Sequence, residues 1–120
     1  MKQSAAPARA DAVTVITDPD EVASHLGSDK KTVVLFEMTG CPFCRMFQPE
    51  FQSFVEKRPN DCALLRVKLD EYDNPLWGKY GIAAVPTVIV FSGAEISSRA
   101  DAVPGLGLSK KKWARLCAGI

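Results

Sequence analysis

One histidine and four cysteines in 120 residues leave little material for a metal centre or a disulfide scaffold. Zinc normally takes four ligands, and only two of the cysteines stand at motif spacing, so a metal module would have to recruit distant partners. Small secreted scaffolds held together by bridges are denser in cysteine than this. Charge of either sign is not in excess: 15 lysines and arginines against 14 acids leave +1, which argues against nucleic acid as an obligatory partner. No uninterrupted apolar run approaches the ~18 to 20 residues that cross a bilayer, so no membrane span is expected. No internal repeat is present. A hydrophobic share of 47% with 24% charged residues is that of one globular domain able to bury a core unaided. Residues 1–12 are alanine-rich with Pro7, two basic residues and Asp11, and they lack the apolar centre of a signal peptide. They are expected to be a disordered leader to a domain at 13–120. The expected compartment is the cytoplasm, or an exported one if a signal was removed ahead of it.

The informative stretch is Val33 to Pro49. A short apolar run, Val33-Val34-Leu35-Phe36, leads through Glu37-Met38-Thr39-Gly40 into Cys41-Pro42-Phe43-Cys44 and then a periodic apolar segment. This reads as a buried strand delivering two cysteines to the first turn of a helix. Only a thiolate attacks a disulfide, and the unpaired N–H groups and dipole of a helix start favour an anion there. Cys41 is the expected nucleophile. Cys44, one turn on, can reach back to the same sulfur and resolve a mixed disulfide. Pro42 suits the first helical position, where its missing N–H is no loss.

The remaining elements follow from periodicity and punctuation. Val13 to Ile16 is a β-branched strand, and Asp18-Pro19-Asp20-Glu21 opens a helix that Gly27 ends, with Val22 and Leu26 on one face. His25 is expected at the surface. Lys31 to Phe36 is a central strand, continuously apolar because both faces are covered. Phe43, Phe47, Phe51, Phe54 and Val55 recur at spacings of three and four, placing one helix from about Pro42 to Arg58 with Pro49 inside it. Pro59-Asn60 closes that helix. Cys62 to Leu69 is the next strand, Asn74-Pro75 opens a short helix ending at Gly81, and Val85 to Phe91 is a strand entered through a proline. Ser92-Gly93-Ala94 turns it back into Glu95 to Ala100. Ser109 caps a last helix, with Leu108 and Trp113 spaced for a hydrophobic staple and Lys110 to Lys112 on a solvated face. Cys62 and Cys117 are expected to be small apolar core residues without a mutual bond, and Trp77 and Trp113 packing residues. Alternating strands and helices with a terminal hairpin make an α/β fold with a parallel portion and an antiparallel one.

From Val13 onward the chain resembles the thioredoxin family. Cys44-Arg45-Met46-Phe47-Gln48-Pro49 is similar to the family's helix after the second cysteine, kinking proline included. Lys79-Tyr80-Gly81-Ile82-Ala83-Ala84-Val85-Pro86-Thr87 is similar to its approach to a cis-proline, Phe91 to Glu95 to its hairpin, and Leu108-Ser109-Lys110 to the start of its last helix. The resemblance implies a thioredoxin fold, a central mixed five-stranded sheet flanked by four helices on both faces. It implies a cis Val85-Pro86 bond packed against the cysteines, with the Val85 backbone open to an extended substrate. It also implies an enzyme, a thiol-disulfide oxidoreductase working as a monomer on protein disulfides or dithiols, with Cys41 and Cys44 as its redox-active pair. Gly40, Pro42, Phe43, Val85 and Pro86 would line the substrate site, a reductase or other thiol partner would restore the pair, and no cofactor or metal would be needed.

The departures from the family are specific. Its Trp-Cys-Gly-Pro-Cys is here Gly40-Cys41-Pro42-Phe43-Cys44, a form closer to glutaredoxin, yet the Gly-Gly-Asp with which glutaredoxins hold glutathione is absent after Pro86. Leu35 stands where the family has a buried aspartate six residues before the first cysteine. Glu37, two residues on and on the same strand face, is the nearest replacement as proton acceptor for Cys44; the alternative is a solvated strand-end carboxylate. Lys68, near the family's partner lysine, reads by itself as an exposed strand-end residue. Two other uses of the same cysteines stay open at this level: a metal-binding module, and a redox-linked binding subunit without turnover.

Overall fold

In the computed structural model, residues 13–27, 30–57 and 62–120 are described. The expected leader at 1–12 lies outside them, as do Arg58 and the Pro59-Asn60 closure of the long helix. The elements run β1 (Val13–Ile16), α1 (Pro19–Ser24), β2 (Lys31–Glu37), α2 (Pro42–Lys57), β3 (Cys62–Lys68), α3 (Leu76–Lys79), β4 (Thr87–Ser92), β5 (Glu95–Ala100) and α4 (Lys110–Ala118).

The five strands form one sheet in the order β1-β3-β2-β4-β5, with β2 at its centre as its unbroken apolar run requires. β1, β3 and β2 are parallel, while β4 pairs antiparallel with both β2 and β5. The helix before β4 therefore does not make it parallel. α3 has only four residues, about one turn and roughly 6 Å, too short to carry the chain back along the sheet. β4 instead starts beside the end of β2, with Thr87 opposite Phe36. This antiparallel step brings Pro86 to the same end of the sheet as the cysteines.

Alternation along the strands divides the core in two. Val34, Phe36, Leu65, Val67, Ile89 and Phe91 face one layer with Val22 of α1 and Leu76 of α3. Val33, Leu35, Leu64, Val88 and Val90 face the other with Phe47, Phe51 and Val55 of α2 and Trp113 and Leu116 of α4. The two helices of that second layer meet through aromatic rings. Trp113 lies edge-on to Phe47 at 4.9 Å and to Phe54 at 5.5 Å, contacts that stabilise by about 0.5–1.5 kcal/mol each beyond burial.

The helix ends follow their local chemistry. Asp18 caps α1 by accepting from the Asp20 N–H at 2.9 Å, Asn74 accepts from Leu76 N–H at 2.9 Å, and Ser109 caps α4 by accepting from Lys112 N–H at 3.1 Å. α1 stops at Ser24, short of Gly27, although Leu26 still packs on the core. His25 is exposed. α2 runs through Pro49 to Lys57 as one helix, with Pro49 on the exposed side where its missing donor is least costly.

Candidate active site

The turn between β2 and α2 is held from the neighbouring strand. Glu37 C=O accepts from Leu69 N–H at 2.7 Å, which continues the β2–β3 pairing past its last register pair. Two residues beyond that last register pair on each strand, Asp70 accepts from Thr39 N–H at 2.7 Å and from the Thr39 hydroxyl at 2.8 Å. Those two bonds, the backbone one first, hold the Asp70 carboxyl below the usual aspartate range, with Lys68 adding to the effect. Gly40 then takes a left-handed φ of 79°, and α2 begins. Sequence reading missed Asp70. Its signal was positional: a short acid following a parallel strand sits across from the residue at the same offset on the neighbour.

Cys41 is half-buried and Cys44 is buried at 3% exposure, and both are free thiols. The Cys44 N–H points at Cys41 Sγ across 3.4 Å, and the Arg45 N–H donates to Cys41 C=O at 3.0 Å as the first α2 bond. The helix start thus directs a donor at the accessible sulfur. The Cys44 thiol is pushed up to about 12, chiefly by burial and further by a hydrogen bond and charge from Cys41 and by the Glu37 carboxylate, against a lowering backbone bond at Met38. One sulfur faces outward and the other is kept as a buried thiol.

Glu37 is not a solvated strand end. It is 1% exposed, and its Oε2 meets Arg66 Nε at 2.7 Å and Lys68 Nζ at 3.2 Å. Lys68 is correspondingly drawn in, with its side chain 23% exposed. The reading of Lys68 as a free exposed lysine is corrected by this pair. The cause is register, since Lys68 is the β3 partner of Glu37 and Arg66 that of Leu35, so all four side chains share one face.

The Val85-Pro86 bond is cis, and Val85 and Cys44 belong to one buried cluster against which Cys41 packs. Thr87 anchors this corner, donating its hydroxyl to Ala84 C=O at 2.7 Å and accepting from Ala102 N–H at 3.4 Å. On the other side of the cysteines, Phe43 lies over Gly107 in the loop before α4. A Cβ on Gly107 would come within 2.7 Å of the Phe43 ring. Pro42 and Gly40 are exposed at the rim, with Met46 and Leu106 exposed beyond Phe43 at 73% and 77%. All eight candidate residues therefore gather at one end of the sheet. Cys62 and Cys117 lie with the α2–α4 core layer, apart from the pair. Among the described residues, no group of three or more His, Cys, Asp or Glu is arranged to hold a metal ion.

A sequence model of the thioredoxin family, described as Thioredoxin, matches residues 13–111. The chain belongs to the thioredoxin family. Thioredoxin 1 of Nostoc sp. is 30% identical over 101 residues, covering 82% of this chain and 92% of that one. Thioredoxin of Rickettsia bellii is 32% identical over 81 residues, covering 67% and 75%. Among solved structures, spinach chloroplast thioredoxin f in its long form superposes with a TM-score of 0.73 at 16% identity over 99% and 98% of the two chains. A thioredoxin f2 solved in complex with ferredoxin:thioredoxin reductase superposes with a TM-score of 0.70 at 21% identity over 88% and 90%. As a member of the thioredoxin family the chain is a thiol-disulfide oxidoreductase. Within that family the Pro42-Phe43 pair between its cysteines, Leu35 and the Glu37–Lys68 pair mark it as a variant of the site.

Proposed function

We propose that Cys41 is the attacking thiol and Cys44 the resolving one in two-electron exchange with protein disulfides. Cys41 Sγ, as thiolate, bonds one sulfur of the substrate disulfide and releases the other as a thiolate that takes up a proton. Cys44 then gives up its proton and attacks Cys41 Sγ. The Cys41–Cys44 disulfide forms and the second substrate thiol leaves, so the substrate gains two electrons and two protons. The observation that carries this reading is the pairing of an accessible sulfur with a buried thiol whose own N–H points at it across 3.4 Å.

The buried thiol needs a base. Glu37 fills that role: both cations occupy Oε2, which leaves Oε1 to take the Cys44 proton, directly or through a water. The substrate lies along Gly40, Pro42 and Phe43, and its extended backbone pairs with Val85 next to Pro86. The thioredoxin f2 solved with its reductase supports a protein reductase as the restoring partner. A single chain in the cytoplasm is the working unit.

Turnover of insulin disulfides with dithiothreitol, and separately with a thioredoxin reductase, tests the reading. Cys41→Ser should abolish turnover, while Cys44→Ser should retain the substrate as a mixed disulfide visible by intact mass. A mixed disulfide trapped on Cys44 in the Cys41→Ser variant, with none trapped on Cys41 in Cys44→Ser, would reverse the assignment.

A further inference from the structure

Behind the redox helix, on the side away from Phe43, a cavity of about 360 Å³ opens between α2 and β3. Its donors come from two elements. Arg45, Gln48 and Gln52 stand at i, i+3 and i+7, so they share one face of α2, and Arg66 rises from β3. Leu35 and Phe51 supply an apolar floor. No carboxylate lines the cavity among the described residues; two of its lining residues bond acids, Arg66 Nε donating to Glu37 at 2.7 Å and Gln52 Nε2 to Glu56 at 3.3 Å.

The Glu37 bond has a second consequence. It fixes the Arg66 side chain at one corner of its guanidinium and leaves the Nη donors for another acceptor. Arg45 makes no side-chain hydrogen bond among the described residues. Two guanidinium residues and two amides lining one cavity over an apolar floor, in a volume within the usual small-ligand range, match an oxyanion on a compact apolar body.

We propose that this cavity is a binding site for a small molecule carrying a phosphate or carboxylate group on a compact apolar body, with Arg45 and Arg66 clamping the oxyanion and Leu35 and Phe51 receiving the body. The site is separate from the Cys41/Cys44 exchange and does not rest on it.

Amide shifts of the full-length reduced protein, titrated with phenyl phosphate, benzoate and inorganic phosphate at ionic strength held constant with sodium chloride, test it. Saturable shifts centred on residues 45–52 and Arg66 are expected, with phenyl phosphate or benzoate bound more tightly than inorganic phosphate. Whichever of those two binds more tightly identifies the natural ligand as a phosphate ester or a carboxylic acid. Arg45→Gln should weaken binding by about tenfold, the value of one charged hydrogen-bond partner. Arg66→Lys, which keeps a cation for Glu37 and removes the fork, should weaken it by a similar factor, and Cys41→Ser should leave it intact. Shifts that grow linearly without saturating, that center elsewhere, or that survive Arg45→Gln and Arg66→Lys unchanged would overturn the proposal.

Discussion

Glu37 and Lys68 are register partners on β2 and β3, and their side chains close that pairing with an ion pair of 3.2 Å at the end of the sheet that carries the cysteines. With Arg66 on the same oxygen at 2.7 Å, a single buried carboxylate faces two cations. Glu37→Gln removes the charge and leaves both cations without a counter-ion. Because the Glu37 carboxylate is one of the causes holding the Cys44 thiol up at about 12, Cys44 should ionise at lower pH in the variant. The resolving step should nevertheless slow, since the base is gone. Stability should fall by only about 1–2 kcal/mol, below the usual cost of breaking a buried pair, because Arg66 and Lys68 are 29% and 23% exposed and can rehydrate. Release of the second thiol from a preformed mixed disulfide, followed across pH, measures this; an unchanged rate and profile would remove Glu37 from the mechanism.

The buried thiol sets a pH dependence of its own. A thiol whose folded pKa lies above its ordinary 9.0, at about 12, keeps its proton in the native state while the unfolded chain has already lost it. Stability of the reduced protein should therefore be unaffected by Cys44 below about pH 9 and should decline as pH rises from there toward 12. The stability difference between the reduced chain and Cys44→Ala, measured by denaturant melts, should be constant below about pH 9 and should move steadily against the wild-type chain above it. Parallel curves at every pH would show that Cys44 is not held as a thiol.

How much of this could be read in the sequence depended on the length scale of the cause. The Cys41–Cys44 spacing, the phenylalanine period of α2 and the Ser109 cap are local patterns, and each is found where it was expected. The layered α/β architecture followed from the order of the elements. The direction of β4 did not, because it depends on α3 being a single turn, and a proline-led helix signal does not fix length. The partners of Glu37 were hidden for a related reason. Lys68 looks like a strand-end lysine until β3 is set in register beside β2, and Arg66 carries no motif at all. Asp70 needed the same register, since it meets Thr39 across 31 residues of sequence and its positional signal appears only once β3 is set beside β2.

Asp70 should act as a positioning residue for the cysteine turn. Asp70→Asn loses a charged acceptor for two Thr39 donors, and because the carboxylate is solvent-exposed the stability cost should stay below about 1 kcal/mol. The wild-type contribution has a defined sign: the folded pKa is depressed, so the contribution is full above the ordinary value of 3.8 and is lost as pH falls through the lower folded value. Activity should respond more than stability, with kcat/KM for insulin reduction falling severalfold as Thr39 and Gly40 loosen ahead of Cys41. Thr39→Val, which removes only the hydroxyl bond, should give a smaller loss. Equal activity in all three proteins would show that the turn holds without the clamp.

Gly107 and Phe43 test how tightly the loop before α4 is fitted to the redox motif. Gly107 adopts φ 81°, which for any other residue costs about 1–2 kcal/mol, and a Cβ there would lie 2.7 Å from Phe43 Cδ1. The neighbouring loop cannot yield easily, because Val103 and Gly107 bond each other in both directions at 3.0 Å. Gly107→Ala should therefore destabilise by about 2–3 kcal/mol, the backbone cost plus displacement of the ring. The two parts separate in a double-mutant cycle. On a Phe43→Ala background the ring is absent, and Gly107→Ala should cost only the backbone share, so the two substitutions should couple by about 1 kcal/mol. Denaturant midpoints of the four proteins give the coupling directly. If Gly107→Ala costs the same with and without Phe43, the ring moves aside freely and the loop does not hold it against the cysteines.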